Sequence, residues 1–241
     1  MGNRIFLRWA VVLPLGLLWM ASAASCSQVV PGSKGEPPSP TELIGPPITS
    51  IDGVSFSLDP AVAAGAQGQV VPENPGSQDG PYWEVHPQYV SISLDGYPLS
   101  GTQMNPGIYI YPIEDYGRLS PQAGGILDSL KDFLVQKPSD ADQIPFLPIF
   151  NAGQVFHSNV DWLDFQNGSG VRFLTIYAQY PAPVNNQDLF YTFQGLTSDG
   201  RHSVSVILPV NHPALPADLA AVSESEMEAI LHDYDLYRED V

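Results

Sequence analysis

Between residues 154 and 208 the chain alternates apolar runs with turn signals, in the way an antiparallel sheet requires. Runs 154–165 and 171–180 flank Gln166-Asn167-Gly168-Ser169-Gly170. A short glycine-containing loop between two apolar runs joins neighbouring antiparallel strands. Runs 189–196 and 202–208 flank Thr197-Ser198-Asp199-Gly200, and Asp-Gly tolerates the positive φ of a hairpin turn. Side chains alternate faces along a strand. That period predicts Arg172 and Phe173 on opposite faces, with Phe173, Thr175 and Tyr177 sharing one side. Val204, Val206 and Leu208 should alternate with their neighbours in the same manner.

Weaker strand signals precede this block. Val54, Phe56 and Leu58 alternate with serines. Residues 61–80 are small and polar and read as loop, with a short strand at Val70-Val71. Residues 89–94 alternate and then meet Asp95-Gly96, a turn signal. Residues 108–113 are β-branched and aromatic; Pro112 places their end near an edge or terminus. Tyr109 and Tyr111 should face one side and Ile108 and Ile110 the other, a pattern that implies burial on both faces.

Two helices are expected. The first spans 120–136: Ser120 can cap it, Pro121 suits its first position, and Ile126, Leu127, Leu130, Phe133 and Leu134 form one stripe. Ile144-Pro145-Phe146-Leu147-Pro148 follows as an extended segment over the core. The second begins at Ser223, which forms a capping box with Glu226, and carries a continuous stripe of Met227, Ile230, Leu231, Tyr234 and Tyr237. The expected fold is α+β: a single domain, residues 50–241, mainly an antiparallel β-sheet with these two helices packed on it.

The N-terminus gives the chain an address. Arg4 and Arg8 precede a 16-residue uncharged stretch, 9–24, and small residues lead to Cys26. This is the layout of a secretory signal peptide, shorter than the roughly 20 apolar residues of a membrane-spanning helix. Cys26 is the only cysteine, so disulfides and cysteine-ligated zinc are excluded. Ala23-Ala24-Ser25-Cys26 resembles the lipobox of bacterial membrane lipoproteins, with Ala23 where leucine is usual. The resemblance implies a signal peptide over 1–25 and a diacylglyceryl lipid on Cys26. Ordinary cleavage after Ala21-Ser22-Ala23 is the other reading; it leaves an exposed thiol on a secreted chain. Residues 26–49, dense in Pro, Gly and Ser, read as the attachment cysteine and its tether.

Charge narrows the partners. Nine basic residues stand against 26 acidic ones. The mature chain loses Arg4 and Arg8, leaving seven basic residues against 26 acidic, a net −19. Nucleic-acid binding needs a basic surface to replace counterions, so no nucleic acid is expected. The expected partners are the membrane, through lipidated Cys26, and a neutral or cationic ligand or a protein partner.

Motifs for chemistry are sparse. G-x-S-x-G, a Walker loop, G-x-G-x-x-G and H-E-x-x-H are all absent from the sequence. Gly168-Ser169-Gly170 reads as turn, and Asn167-Gly168-Ser169 as a chance glycosylation sequon. Asp161 and Asp164, with Asn159 and Asn167, offer oxygens but lack the spacing of a calcium loop. No catalytic residue, metal ligand or cofactor is assigned.

Aromatics are the more suggestive signal, because tyrosine and tryptophan concentrate in interfaces and in sugar or peptide grooves. Tyr82, Trp83, Tyr97 and Trp162 are the candidate ligand surface. The segments Pro81-Tyr82-Trp83-Glu84-Val85, Gly96-Tyr97-Pro98-Leu99, Tyr109-Ile110-Tyr111-Pro112, 167–174 and 190–196 resemble a family of extracytoplasmic lipoproteins of environmental bacteria. The resemblance covers about 51–216 and implies no activity. Beside that family the chain stops early after the Ser223 helix, so a further C-terminal segment is expected. The expected function is a lipid-anchored, non-enzymatic binding or interaction module. The alternative is a cell-envelope hydrolase using Asp161, Asp164 and His157. A transporter's solute-binding subunit is disfavoured, since two α/β lobes do not fit in about 180 residues.

Overall fold

The computed structural model describes residues 5–8, 48–51 and 53–240. The lipobox, Cys26 and the tether up to residue 47 lie outside the described residues. In chain order the elements are β1 (Ile5–Arg8), β2 (Ile48–Ile51), β3 (Val54–Ser57), β4 (Gly65–Val71), β5 (Tyr89–Asp95), β6 (Gly107–Pro112), α1 (Ile113–Leu119) and α2 (Pro121–Gln136). Then follow β7 (Gly153–Phe165), β8 (Gly168–Ala178), β9 (Phe190–Thr197), β10 (His202–Pro209), α3 (Glu224–His232) and α4 (Tyr234–Asp240). The architecture is mainly β. A seven-stranded sheet runs β4-β5-β6-β10-β9-β8-β7, every pairing antiparallel. A second, three-stranded sheet has the order β1-β3-β2.

The register settles the faces. Phe173 pairs with Thr192 and Thr175 with Phe190, while Arg172 pairs with Phe193, so Arg172 and Phe173 do point to opposite sides. On one face Val54 and Phe56 of β3 pack on Ile92, Ile108, Ile110, Phe193, Val204 and Val206. On the other, α2 and the 144–149 segment cover the tyrosine side of β6: Leu127 and Leu147 cluster with Tyr111 and Tyr116, and Leu130 with Phe146, Phe173 and Ile207. Both faces of the centre are therefore buried, as the two-sided pattern of 108–111 implied.

The strap at 144–149 is fixed by side chains that imitate a β-ladder. Gln194, fully buried on β9, accepts the N–H of Leu147 at 3.0 Å and donates to its carbonyl at 3.1 Å. The two N–H groups of this amide are shared among Leu147 O, Thr192 Oγ1 and Ser205 Oγ, so each of its polar atoms is satisfied. Further along, Ile144 N–H donates to Gln154 Oε1 at 2.8 Å.

Five local expectations need correction. The second strand is longer than Val70-Val71: β4 spans seven residues, because β5 supplies a ladder partner that glycine and glutamine do not advertise. The 108–113 strand stops at Pro112, which has no N–H for the ladder, and Ile113 instead opens α1. Gly168-Ser169-Gly170 is not turn but the start of β8; the turn is Gln166-Asn167. A Cβ on Gly170 would run into the Phe193 ring, so this glycine is selected by packing. The C-terminal helix is not continuous. Ser223 and Glu226 do form the capping box, but Asp233, at φ −139, separates α3 from α4, and α3 buries no side chain. Two short strands also precede residue 53: β1 at Ile5–Arg8, within the expected signal peptide and paired with β3, and β2 at Ile48–Ile51.

Candidate functional site

The strands of the large sheet converge at one end, where β6, β7 and β9 begin and β5, β8 and β10 finish. Four connections gather there: 96–106, 149–152, 179–189 and 210–221. Between them lies a cleft of about 540 Å³, lined by amides (Gln103, Asn151, Gln179, Gln187), carboxylates (Asp188, Asp218) and the rings of Tyr177 and Tyr180. Alanines 152, 178, 182 and 220 and Leu219 complete the wall. No lysine, arginine or histidine is among the lining residues. The volume falls within the range of about 300–1,000 Å³ usual for small-molecule sites.

These loops are braced rather than loose. Asn185, fully buried, is the keystone of 179–189: its Oδ1 accepts the N–H groups of Gln187 and Asp188, and its Nδ2 donates to Pro183 O and to Asp188 Oδ2 at 2.8 Å. Asn186 ties the same loop to 210–216, accepting from His212 N–H at 2.7 Å and donating to the carbonyls of His212 and Leu215. Gln103 N–H donates to Gln187 O at 2.9 Å, and Gln179 Nε2 to Asn151 O at 3.0 Å. From behind, α4 buttresses the loop. Tyr237 OH accepts from Val184 N–H at 2.8 Å, and Tyr234 OH donates to Ala182 O at 2.8 Å.

Within the cleft the two tyrosines differ. Tyr177 packs against Phe146, Phe150 and Phe190, and burial pushes its hydroxyl pKa well up. It is a neutral wall. Tyr180 is 62% exposed and presents its ring at the mouth. Asp218 Oδ1 caps a short helical turn by accepting from Ala221 N–H at 3.0 Å.

The structure does not bring Tyr82, Trp83, Tyr97 and Trp162 into this cleft, and none of them lines it. Tyr82 and Trp83 form an edge-to-face pair on a helical turn, with Trp83 packed against the Tyr111 and Leu127 cluster. Tyr97 spends its hydroxyl on Pro209 O at 2.6 Å, a brace between the 96–106 connection and the end of β10. Trp162 lies on β7 against Phe133, with Lys137 Nζ 5.7 Å from its ring centre.

The hydrolase residues do not converge either. Asp161 pairs with Arg172 at 2.7 Å, and that guanidinium holds its carboxyl below the usual range. Asp161 and Asp164 sit three residues apart in regular register, hence on opposite faces. His157 shares a face with Asp164 but lies about 20 Å along the strand at roughly 3.3 Å per residue. Burial depresses its pKa, Arg238 adds to that, and the Ala141 backbone and the Asp140 and Asp142 carboxylates oppose it. Among the described residues no three His, Cys, Asp or Glu side chains gather as metal ligands.

Sequence reasoning missed the cleft's polar lining. Its members run from Gln103 to Asp218, each an ordinary loop residue. The only available signal was Tyr177 and Tyr180 beside an amide-rich stretch, Asn185-Asn186-Gln187. Scans against protein-family models, curated proteins and solved structures return no match.

Proposed function

We propose that this chain is a lipid-anchored, extracytoplasmic, non-enzymatic binding module: one α+β domain held to a bacterial membrane by a diacylglyceryl group on Cys26. The observation that carries the binding part is the end-of-sheet cleft, preformed by Asn185, Asn186 and α4 and lined by neutral amides and two carboxylates. Such a lining favours a neutral or cationic ligand and disfavours anions, which require lysine, arginine or clustered N–H groups.

The address is supported by the n-region, the short apolar stretch and the unpaired Cys26. One acyl chain holds a protein only marginally, whereas two chains anchor it stably. With a net −19, the mature domain is repelled by anionic headgroups, so the proline-rich tether holds it off the bilayer. Replacing Cys26 with Ser tests the anchor. The variant moves to the soluble fraction if the lipid does the holding; full retention in the membrane pellet contradicts it and points to an uncleaved signal anchor.

A further inference from the structure

We propose that the end-of-sheet cleft is a saccharide site, taking short neutral oligosaccharides by hydrogen bonds from its amides and by stacking on Tyr180. This rests on the binding-module reading and names its ligand class.

The hydrogen-bonding inventory carries the inference. The side-chain amides of Gln103, Asn151 and Gln187 make no hydrogen bond to any described residue, and Gln179 uses only its Nε2. Asp188 and Asp218 each commit one oxygen, to Asn185 Nδ2 and to Ala221 N–H, and keep the other. A primary amide offers two donors and an acceptor in one plane, and a carboxylate offers paired acceptors. A hydroxyl donates once and accepts twice, so a run of neighbouring sugar hydroxyls answers this mixed set on both counts.

The competing ligand classes answer it less well. A cation uses acceptors alone and would leave the N–H groups of Gln103, Asn151 and Gln187 unused. Phosphate, sulfate and uronate groups require cationic donors, which are missing from the lining. A peptide is taken on a free sheet edge, in an apolar helix groove, in an aromatic groove for polyproline, or by an arginine cluster. This cleft lies at strand ends, where β8 pairs with β7 on one side and, up to Thr175, with β9 on the other; the sheet's free edge here is the far side of β7, away from β8.

Stacking supplies the remaining element. A pyranose has one face made of C–H groups, which packs against an aromatic ring. Tyr180 offers such a ring, 62% exposed, among the lining amides, and four alanines contribute small side chains to the same wall.

The test uses the full-length protein in a detergent without a sugar headgroup. Neutral tetra- to hexasaccharides of glucose, mannose, galactose and N-acetylglucosamine are titrated, with spermidine and a neutral hexapeptide in parallel. At least one glycan is expected to bind. Tyr180→Ala should weaken it tenfold or more, Tyr180→Phe less than twofold, and Gln103→Ala and Gln187→Ala threefold or more each. Tyr82→Ala, an exposed ring elsewhere, should leave affinity unchanged, and all variants should keep the wild-type Tm. Glycan binding insensitive to Tyr180→Ala, or no glycan bound at all, overturns the proposal. Binding of spermidine or the hexapeptide alone overturns the saccharide assignment and leaves the binding-module reading standing. Cleavage of a bound glycan upholds the saccharide site and overturns the non-enzymatic reading.

Discussion

Gln194 meets Leu147 through both ends of one amide: Leu147 N–H donates to Oε1 at 3.0 Å and Nε2 donates to Leu147 O at 3.1 Å. The strap at 144–149 has no strand beside it, yet the N–H and C=O of Leu147 are satisfied as a ladder partner would satisfy them. An unmet buried donor or acceptor costs about 1–3 kcal/mol. Gln194→Leu strands Leu147 N–H, whereas Leu147 O keeps the Ser205 hydroxyl as a donor; Ser205 and Thr192 each lose the amide that donates to them. It should destabilise the protein by about 2–5 kcal/mol, read by urea denaturation with an unchanged m-value. A loss below about 1 kcal/mol would mean that the strap relaxes without the amide.

The buttress behind the cleft gives a second outcome. Tyr237→Phe removes the acceptor of Val184 N–H while keeping the ring in place. Hydrogen exchange at Val184 should speed up at least tenfold, with core amides such as Phe173 unaffected. Global stability should fall by only about 1 kcal/mol, the net worth of one hydrogen bond. Equal acceleration at Phe173 would show that α4 supports the whole fold rather than the loop.

How far these features could be read from the chain depends on whether their cause is local. The β7–β8 and β9–β10 hairpins, the Ser120 cap and the Ser223 capping box each rest on residues within a few positions, and each is present. The broken terminal helix could not be read that way. The Tyr234 and Tyr237 stripe continues at helical spacing, but their hydroxyls reach Ala182 and Val184, so α4 departs from α3 at Asp233. The cleft was hidden for the same reason. Gln103 and Gln187 meet through a backbone hydrogen bond across 84 positions, and nothing in either neighbourhood announces it. Gln194 did carry a signal: a glutamine at an inward position of Phe190-Tyr191-Thr192-Phe193-Gln194 needs a buried partner.

Two half-buried histidines contribute to the pH response near neutrality. Burial lowers the pKa of both His157 and His202 from 6.5. Below pH 6.5 the unfolded chain therefore binds protons that the folded chain does not, and stability falls as pH drops through that window. Above it both states hold neutral imidazoles and the contribution is fully present. His157→Gln should flatten the fall of Tm below pH 6.5 relative to wild type. An unchanged slope would mean that His157 protonates as easily folded as unfolded.

Anchoring is decided by the chemistry at one residue. Trypsin cuts after Lys34, so lipoprotein processing yields a peptide 26–34 that begins at Cys26. Mass spectrometry of the membrane-extracted protein should find this peptide carrying a diacylglyceryl group, with no peptide spanning residues 9–25. An intact 9–34 peptide, or one with an unmodified Cys26 thiol, would contradict the lipid anchor.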